Sequence, residues 1–136
     1  MAHLEWSIDE DVGIEPVSPL GRITITGDAG VIVDDNLILD TFFESLIDGL
    51  SKLETEDDAS IDTIEEPYEL VMHRVGGGVR LQYGQQTVEM SDEVTFKREL
   101  VGVVGELLKQ LDGAALAKGQ KPYSHRRLRA FLKNSE

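Results

Sequence analysis

Two stretches of this chain carry apolar residues at helical spacing, and the segments around them alternate apolar with polar residues. The first stripe runs over residues 39–53 and the second over residues 96–111. A period of 3.6 residues predicts an amphipathic helix, whereas strict alternation predicts a half-buried strand. The sequence therefore predicts a mixed fold in which two helices and several strands share one core.

The alternating segments predict strands that follow one another in hairpins. They are residues 4–8, 22–26, 31–33, 68–75, 79–83 and 87–90, with a further short edge strand expected within the acidic segment 54–66. Turns are expected at residues 27–30 and at Gly76-Gly77-Gly78. Because helices interrupt the strands at only two places, we predict an α+β fold rather than α/β. The expected architecture is a mostly antiparallel sheet of five to six strands, with two amphipathic helices on one face and a short C-terminal helix.

The ends of the helices are predicted from capping residues. Asp40 or Thr41 is expected to cap the first helix, Ser91 the second and Ser124 the last short one. The second helix is expected to end or weaken at Asp112-Gly113. Gly49, inside the first helix, is expected to allow close packing against the sheet.

The charge of the chain is divided between a long acidic body and a short basic end. Residues 1–117 carry 7 Lys and Arg against 25 Asp and Glu, a formal −18, whereas residues 118–136 carry 6 against one, a formal +5. We predict one α+β domain over residues 1–117 with a basic helical segment, 118–136, docked on it. An acidic body repels nucleic acid and anionic membranes, so neither is an expected direct partner, but it attracts a basic protein.

The remaining composition narrows the function classes. The chain has no cysteine, which excludes disulfides and thiolate chemistry. No apolar run approaches the length of a membrane span and the first residues do not resemble a signal peptide, so we expect a cytoplasmic protein.

No catalytic or metal-binding arrangement is evident. A strand rather than a helix is expected after the glycine run 76–78, which favours a hairpin turn over a phosphate loop. The three histidines, His3, His73 and His125, lie in different segments, without metal-ligand spacing. The paired carboxylates are too numerous for any pair to single out a site. We therefore expect a protein that is not an enzyme and has no cofactor or metal.

The middle of the chain resembles a known class of small bacterial protein. The segment from Leu37 to Leu50, then Glu65 to Leu70, and after a short meander Phe96 to Leu100, resemble immunity proteins encoded beside polymorphic or contact-dependent toxins. The resemblance covers residues 20–111. It implies a protein that binds one cognate toxin domain and blocks it without catalysis. Binding residues vary within that class, so the resemblance assigns none here.

We expect a non-enzymatic acidic binding protein that neutralises a basic toxin domain. The expected contact surface consists of carboxylates in the acidic segment and in a turn after the first hairpin. They are Asp34, Asp35, Glu56, Asp57, Asp58, Asp62, Glu65 and Glu66. Two alternatives remain open: a regulatory or assembly module acting as a homodimer through an edge strand or the C-terminal helix, and a small ligand-binding domain. The sequence leaves the oligomeric state undetermined.

Overall fold

The computed structural model describes residues 3–9, 19–62, 69–119 and 125–135, with the backbone alone for residues 3, 36 and 59–62. The described residues form seven strands and three helices. The strands are β1 (His3–Ile8), β2 (Leu20–Thr26), β3 (Ala29–Ile38), β4 (Asp58–Asp62), β5 (Glu69–Val75), β6 (Gly78–Tyr83) and β7 (Gln86–Met90). The helices are α1 (Leu39–Leu53), α2 (Glu93–Ala117) and α3 (Arg126–Asn134).

All seven strands belong to one antiparallel sheet with the order β1-β2-β3-β7-β6-β5-β4. The predicted α+β class is therefore confirmed. The sheet has seven strands rather than five or six, because the first strand and the strand of the acidic segment both join it. The glycine run forms the β5–β6 hairpin, in which Val75 pairs with Gly78, and Gly76 has a φ of 62°.

The two halves of the sheet meet at a short seam between β3 and β7. Only Ala29 with Glu89 and Gly30 with Val88 pair across it. Gly30 is required there, because its φ is 83° and a Cβ atom would lie 2.1 Å from the carbonyl oxygen of Thr87. Farther along, the side-chain amide of Gln86 continues the ladder: its Oε1 accepts from Val33 N at 2.8 Å and its Nε2 donates to Val33 O at 3.0 Å.

Alternate residues of β2 and β6 are buried, as the period of two in the sequence predicts. Their side chains join those of the helices in a single apolar cluster. Helix α1 contacts β2, β3, β4 and β5, helix α2 contacts β1, and α3 packs against both α1 and α2. The expected close approach at Gly49 is confirmed, because a Cβ atom there would lie 2.5 Å from the Sδ atom of buried Met72 in β5.

The predicted cap of α1 is wrong. The helix begins directly after β3, its N-cap residue Ile38 makes no side-chain capping bond, and Asp40 accepts from the N–H of Thr41 beside it rather than capping the helix. The N–H of Leu39 instead donates to the carbonyl oxygen of Pro19 at 2.9 Å. The N-cap residue has the extended conformation of a cap, but it is the last residue of β3 and its apolar side chain has no oxygen to accept a hydrogen bond.

The predicted ends of α2 are also wrong. Its N-cap is Asp92, which accepts from the N–H groups of Val94 and Thr95, while the N–H of Ser91 donates to Asp28 in the β2–β3 turn. The helix continues through Asp112 and Gly113 to Ala117. Tertiary contacts explain the continuation, because Ala115 is buried beyond the glycine and the Asp112 carboxylate bonds to α3. The Ser124 cap predicted for α3 lies outside the described residues.

Candidate protein-binding surface

Three arginines of the sheet region are paired with nearby carboxylates. Arg22 lies 3.0 Å from Asp35. Arg80 lies 2.7 Å from Glu89 across the β6–β7 pair, and Arg74 lies 3.1 Å from Glu93 at the start of α2. Each pair is partly exposed, so each contributes little to stability. These three arginines therefore neutralise the carboxylates next to them.

The basic helix α3 is paired in the same way with an acidic stripe on α1. Asp40, Glu44 and Asp48 follow one another at intervals of four residues and therefore share one face of α1. Arg127 contacts both Glu44 and Asp48, and His125 Nε2 lies 3.3 Å from Asp40 Oδ2.

Helix α3 also forms a hydrogen bond with α2 and packs against the apolar core. Arg129 donates to Asp112 of α2 at 2.6 Å. Leu128 is fully buried, and Phe131 and Leu132 pack partly buried against the core. A homodimer that buries Leu128 would therefore require α3 to leave its place.

Burial dominates the electrostatics at the centre of this contact. It raises the pKa of the Glu44 carboxyl above its ordinary value, and Arg127 opposes that shift only in part. Arg127 therefore stabilises the ionised carboxylate of Glu44, but not enough to offset the cost of removing that charge from water. Two of the basic residues at the C-terminal end, Arg127 and Arg129, are thus engaged within the chain.

The carboxylates between α1 and β4 behave differently. Glu54, Glu56 and Asp57, here named the acidic edge, are exposed, and within the described part of the chain none of their carboxylates makes a hydrogen bond or an ion pair. Their backbone is nevertheless fixed. The N–H of Glu56 donates to Lys52 O at 2.9 Å, and Asp57 O accepts from Arg74 N at 2.9 Å. The acidic edge is therefore an uncompensated negative surface held in a defined position beside β4.

Two of the predicted contact residues lie far from this surface. Asp34 and Asp35 are within β3 rather than in a turn, and three strands separate β3 from β4 in the sheet. Asp34 is half-buried and accepts from the hydroxyl of buried Tyr83 at 2.9 Å, so it closes the core. Asp35 is exposed but is paired with Arg22. The structure does not bring these two residues together with the acidic segment.

The other predicted contact residues follow the acidic edge along the chain. Glu56 and Asp57 belong to it, and Asp58 opens β4 with its Oδ1 atom 2.5 Å from His73 Nδ1. Asp62 is the last residue of β4, described by its backbone alone. Glu65 and Glu66 lie outside the described residues.

Two histidine–carboxylate contacts were not anticipated, His73 with Asp58 and His125 with Asp40. Neither has a local sequence signal, because the partners lie 15 residues apart in one case and on separate helices in the other. In the described ranges no group of three or more His, Asp or Glu side chains converges as a metal site. The side chain of His3 is not described.

A groove with a mixed lining lies next to the acidic edge. It has a volume of about 500 Å³ between α1 and α3, and its lining combines the apolar residues Ile47, Leu50 and Phe131 with polar ones that include Lys97 and Arg127. A second depression of about 370 Å³ shares Leu50, Glu54 and Lys97 with it and extends toward the start of α2. Glu54 therefore belongs both to the groove and to the acidic edge, which places apolar surface beside uncompensated charge.

Comparison with other proteins gives no assignment, because no protein-family model, curated protein or solved structure matches this chain. Among the described residues, no helix is both long and apolar enough to cross a membrane.

Proposed function

We propose that this chain is a non-enzymatic binding protein whose acidic edge contacts a basic protein, most concretely an immunity protein that neutralises a toxin domain. The observation that carries the proposal is the contrast in pairing. Three arginines of the sheet region, and Arg127 and Arg129 of α3, are matched with carboxylates. In contrast, Glu54, Glu56 and Asp57 are exposed and unmatched among the described residues. A compact group of uncompensated charges attracts a partner of opposite sign.

The acidic edge would act mainly on the rate of association. Complementary charges steer encounters and raise the association rate constant by roughly 10- to 1,000-fold. Exposed charges at a rim add little to the final affinity, which depends on buried aromatic or aliphatic anchors. The groove between α1 and α3 supplies Ile47, Leu50 and Phe131 as apolar contacts next to the charges, alongside polar residues that include Lys97 and Arg127. The acidic edge would then supply the charged contacts and the adjoining groove the apolar ones.

The proposal is tested with the protein encoded by the adjacent gene as the probe. The association rate constant is measured for the wild type, for Glu56→Lys and for Glu106→Lys, at low and at physiological salt. Glu106 is an exposed carboxylate of α2 outside the acidic edge, so its replacement changes the net charge equally. We expect Glu56→Lys to slow association several-fold more than Glu106→Lys, with the difference shrinking as salt rises. Equal effects, or no binding by the wild type, would refute the proposal.

A further inference from the structure

The two edges of the sheet are not equivalent. At the β1 edge, the N–H of Leu4 donates to Glu99 Oε1 of α2 at 3.3 Å, and α2 contacts this strand. At the opposite edge, β4 pairs only with β5, and no other strand of the described residues pairs with it. An unprotected strand edge offers backbone donors and acceptors to another extended chain. Helix α1 contacts β4 as α2 contacts β1. The difference between the two edges is the Glu99 bond to the β1 backbone, which has no counterpart at β4 among the described residues.

The hydrogen-bond pattern shows which backbone groups of β4 point outward. Asp57 O accepts from Arg74 N, which makes residues 57 and 74 a hydrogen-bonded pair. Bonded and non-bonded pairs alternate along an antiparallel ladder, so Asp58 opposite His73 is a non-bonded pair. The close contact of these two side chains agrees with that assignment, because non-bonded pairs bring side chains nearer. The N–H and C=O groups of residues 58, 60 and 62 thus face away from β5.

The charge beside this edge selects the segment that would pair with it. Glu56 and Asp57 directly precede β4, and the strand itself contains Asp58 and Asp62 but no basic residue. We propose that β4 accepts an extended, basic segment of the partner protein as an eighth strand of the sheet. This inference rests on the proposed function and specifies how the partner is held.

A second copy of this chain fits the same edge poorly. If two β4 strands paired antiparallel about Ser60, Asp58 of one copy would lie opposite Asp62 of the other, and like charges directly opposite destabilise a sheet. The five residues of β4 span about 17 Å at about 3.4 Å per residue. The expected segment is therefore about five residues long, with Lys or Arg at alternate positions so that one of them lies opposite Asp58.

The main test removes one outward N–H group and leaves the β4–β5 ladder intact. Ser60→Pro does so, because proline is tolerated on an edge strand where its nitrogen faces away from the neighbouring strand. Ser60→Ala keeps the N–H and is the matched control. The probe is a labelled, end-capped peptide of alternating lysine and valine, and binding is measured by fluorescence anisotropy. We expect at least about a tenfold weaker Kd for Ser60→Pro and less than a twofold change for Ser60→Ala. Equal binding by all three proteins, or none by the wild type, would overturn the inference.

A second probe covers the case in which Ser60→Pro fails to fold, as judged by circular dichroism. The same peptide, N-methylated at alternate residues, keeps its charge but cannot form the ladder on one side. The wild type should bind it at least about tenfold more weakly than the unmodified peptide, and equal binding would refute strand addition. Light scattering provides a further check, because a wild-type dimer that Ser60→Pro abolishes would show that a second copy occupies the edge.

The product of the adjacent gene separates failure of this inference from failure of the proposed function. If it binds the wild type and Ser60→Pro equally, strand addition at β4 is wrong and protein binding stands. If it does not bind the wild type, the proposed function itself fails.

Discussion

Gly49 provides a direct test of how tightly α1 packs on the sheet. Replacing glycine with alanine inside a helix stabilises the folded protein by about 1 kcal/mol where the new methyl group has room. At Gly49 it has none, because the added Cβ would lie 2.5 Å from Met72 Sδ and 2.7 Å from Met72 Cε. Met72 is fully buried, so it can move only by displacing other core atoms. Overpacking of this kind destabilises by about 1–3 kcal/mol.

Two glycines of α2 serve as matched controls. Apart from the backbone of its own helix, a Cβ at Gly102 or Gly113 would meet no atom of the described residues within 4 Å. We expect Gly102→Ala and Gly113→Ala each to raise the free energy of unfolding by about 1 kcal/mol. Gly49→Ala should be about 1–3 kcal/mol less stable than either control, because the helix-propensity gain is common to all three.

Urea denaturation followed by circular dichroism measures these differences through the transition midpoint at unchanged slope. The double variant Gly49→Ala with Met72→Val would show whether Met72 is the obstacle, because the shorter side chain relieves the contact. If Gly49→Ala stabilised the protein as much as Gly102→Ala, close packing of α1 against Met72 would be refuted.

Three further predictions concern the helices. Leu128→Ala should lower the free energy of unfolding, measured by urea denaturation, by about 2–5 kcal/mol, because Leu128 is fully buried. The control Leu116→Ala, at an exposed site, should change it by less than about 0.5 kcal/mol. Burial raises the pKa of Glu44, so ionisation of its carboxyl opposes folding. The free energy of unfolding of the wild type relative to Glu44→Gln should therefore fall as the pH rises from below the ordinary pKa of 4.5. A rise would contradict the raised pKa. The Thr95 hydroxyl and the backbone N–H groups hold the pKa of Asp92 below 3.8. The free energy of unfolding of Asp92→Ala should therefore lie below that of the wild type near neutral pH, and the difference should vanish as acid protonates the wild-type carboxylate. A difference that did not change with pH would contradict this prediction.

The sequence predicted well those features that depend on neighbouring residues. Alternation placed β2 and β6, and the helical stripe placed α1 from Leu39 to Leu53. The close packing predicted at Gly49 is confirmed. Glycine disfavours a helix, so its presence inside an amphipathic helix indicates that a larger side chain would not fit. These are local rules, and they hold where the core supports them.

Features that depend on distant residues could not be predicted. The carbonyl of Pro19 bonds the first N–H of α1, and the carboxylate of Asp112 bonds to α3, so the local capping and stopping rules failed at both places. The same limit applies to the candidate surface. The composition showed an excess of carboxylates, but only the fold separates Asp34, bonded to Tyr83, from Asp57, which no described side chain neutralises.

The short seam between β3 and β7 has a consequence for folding. On either side of it the strands are joined to their sequence neighbours, β1 to β3 within residues 3–38 and β4 to β7 within residues 58–90. Each half can form through short loops, and closing short loops is fast. Backbone pairing between the halves is limited to two residue pairs, which the Gln86 amide and the bonds of Asp28 to Glu89 and Ser91 supplement. Helix α1 packs on strands of both halves, so the shared apolar core rather than the ladder joins them. In native-state hydrogen exchange the amides at the seam should open before those within either half.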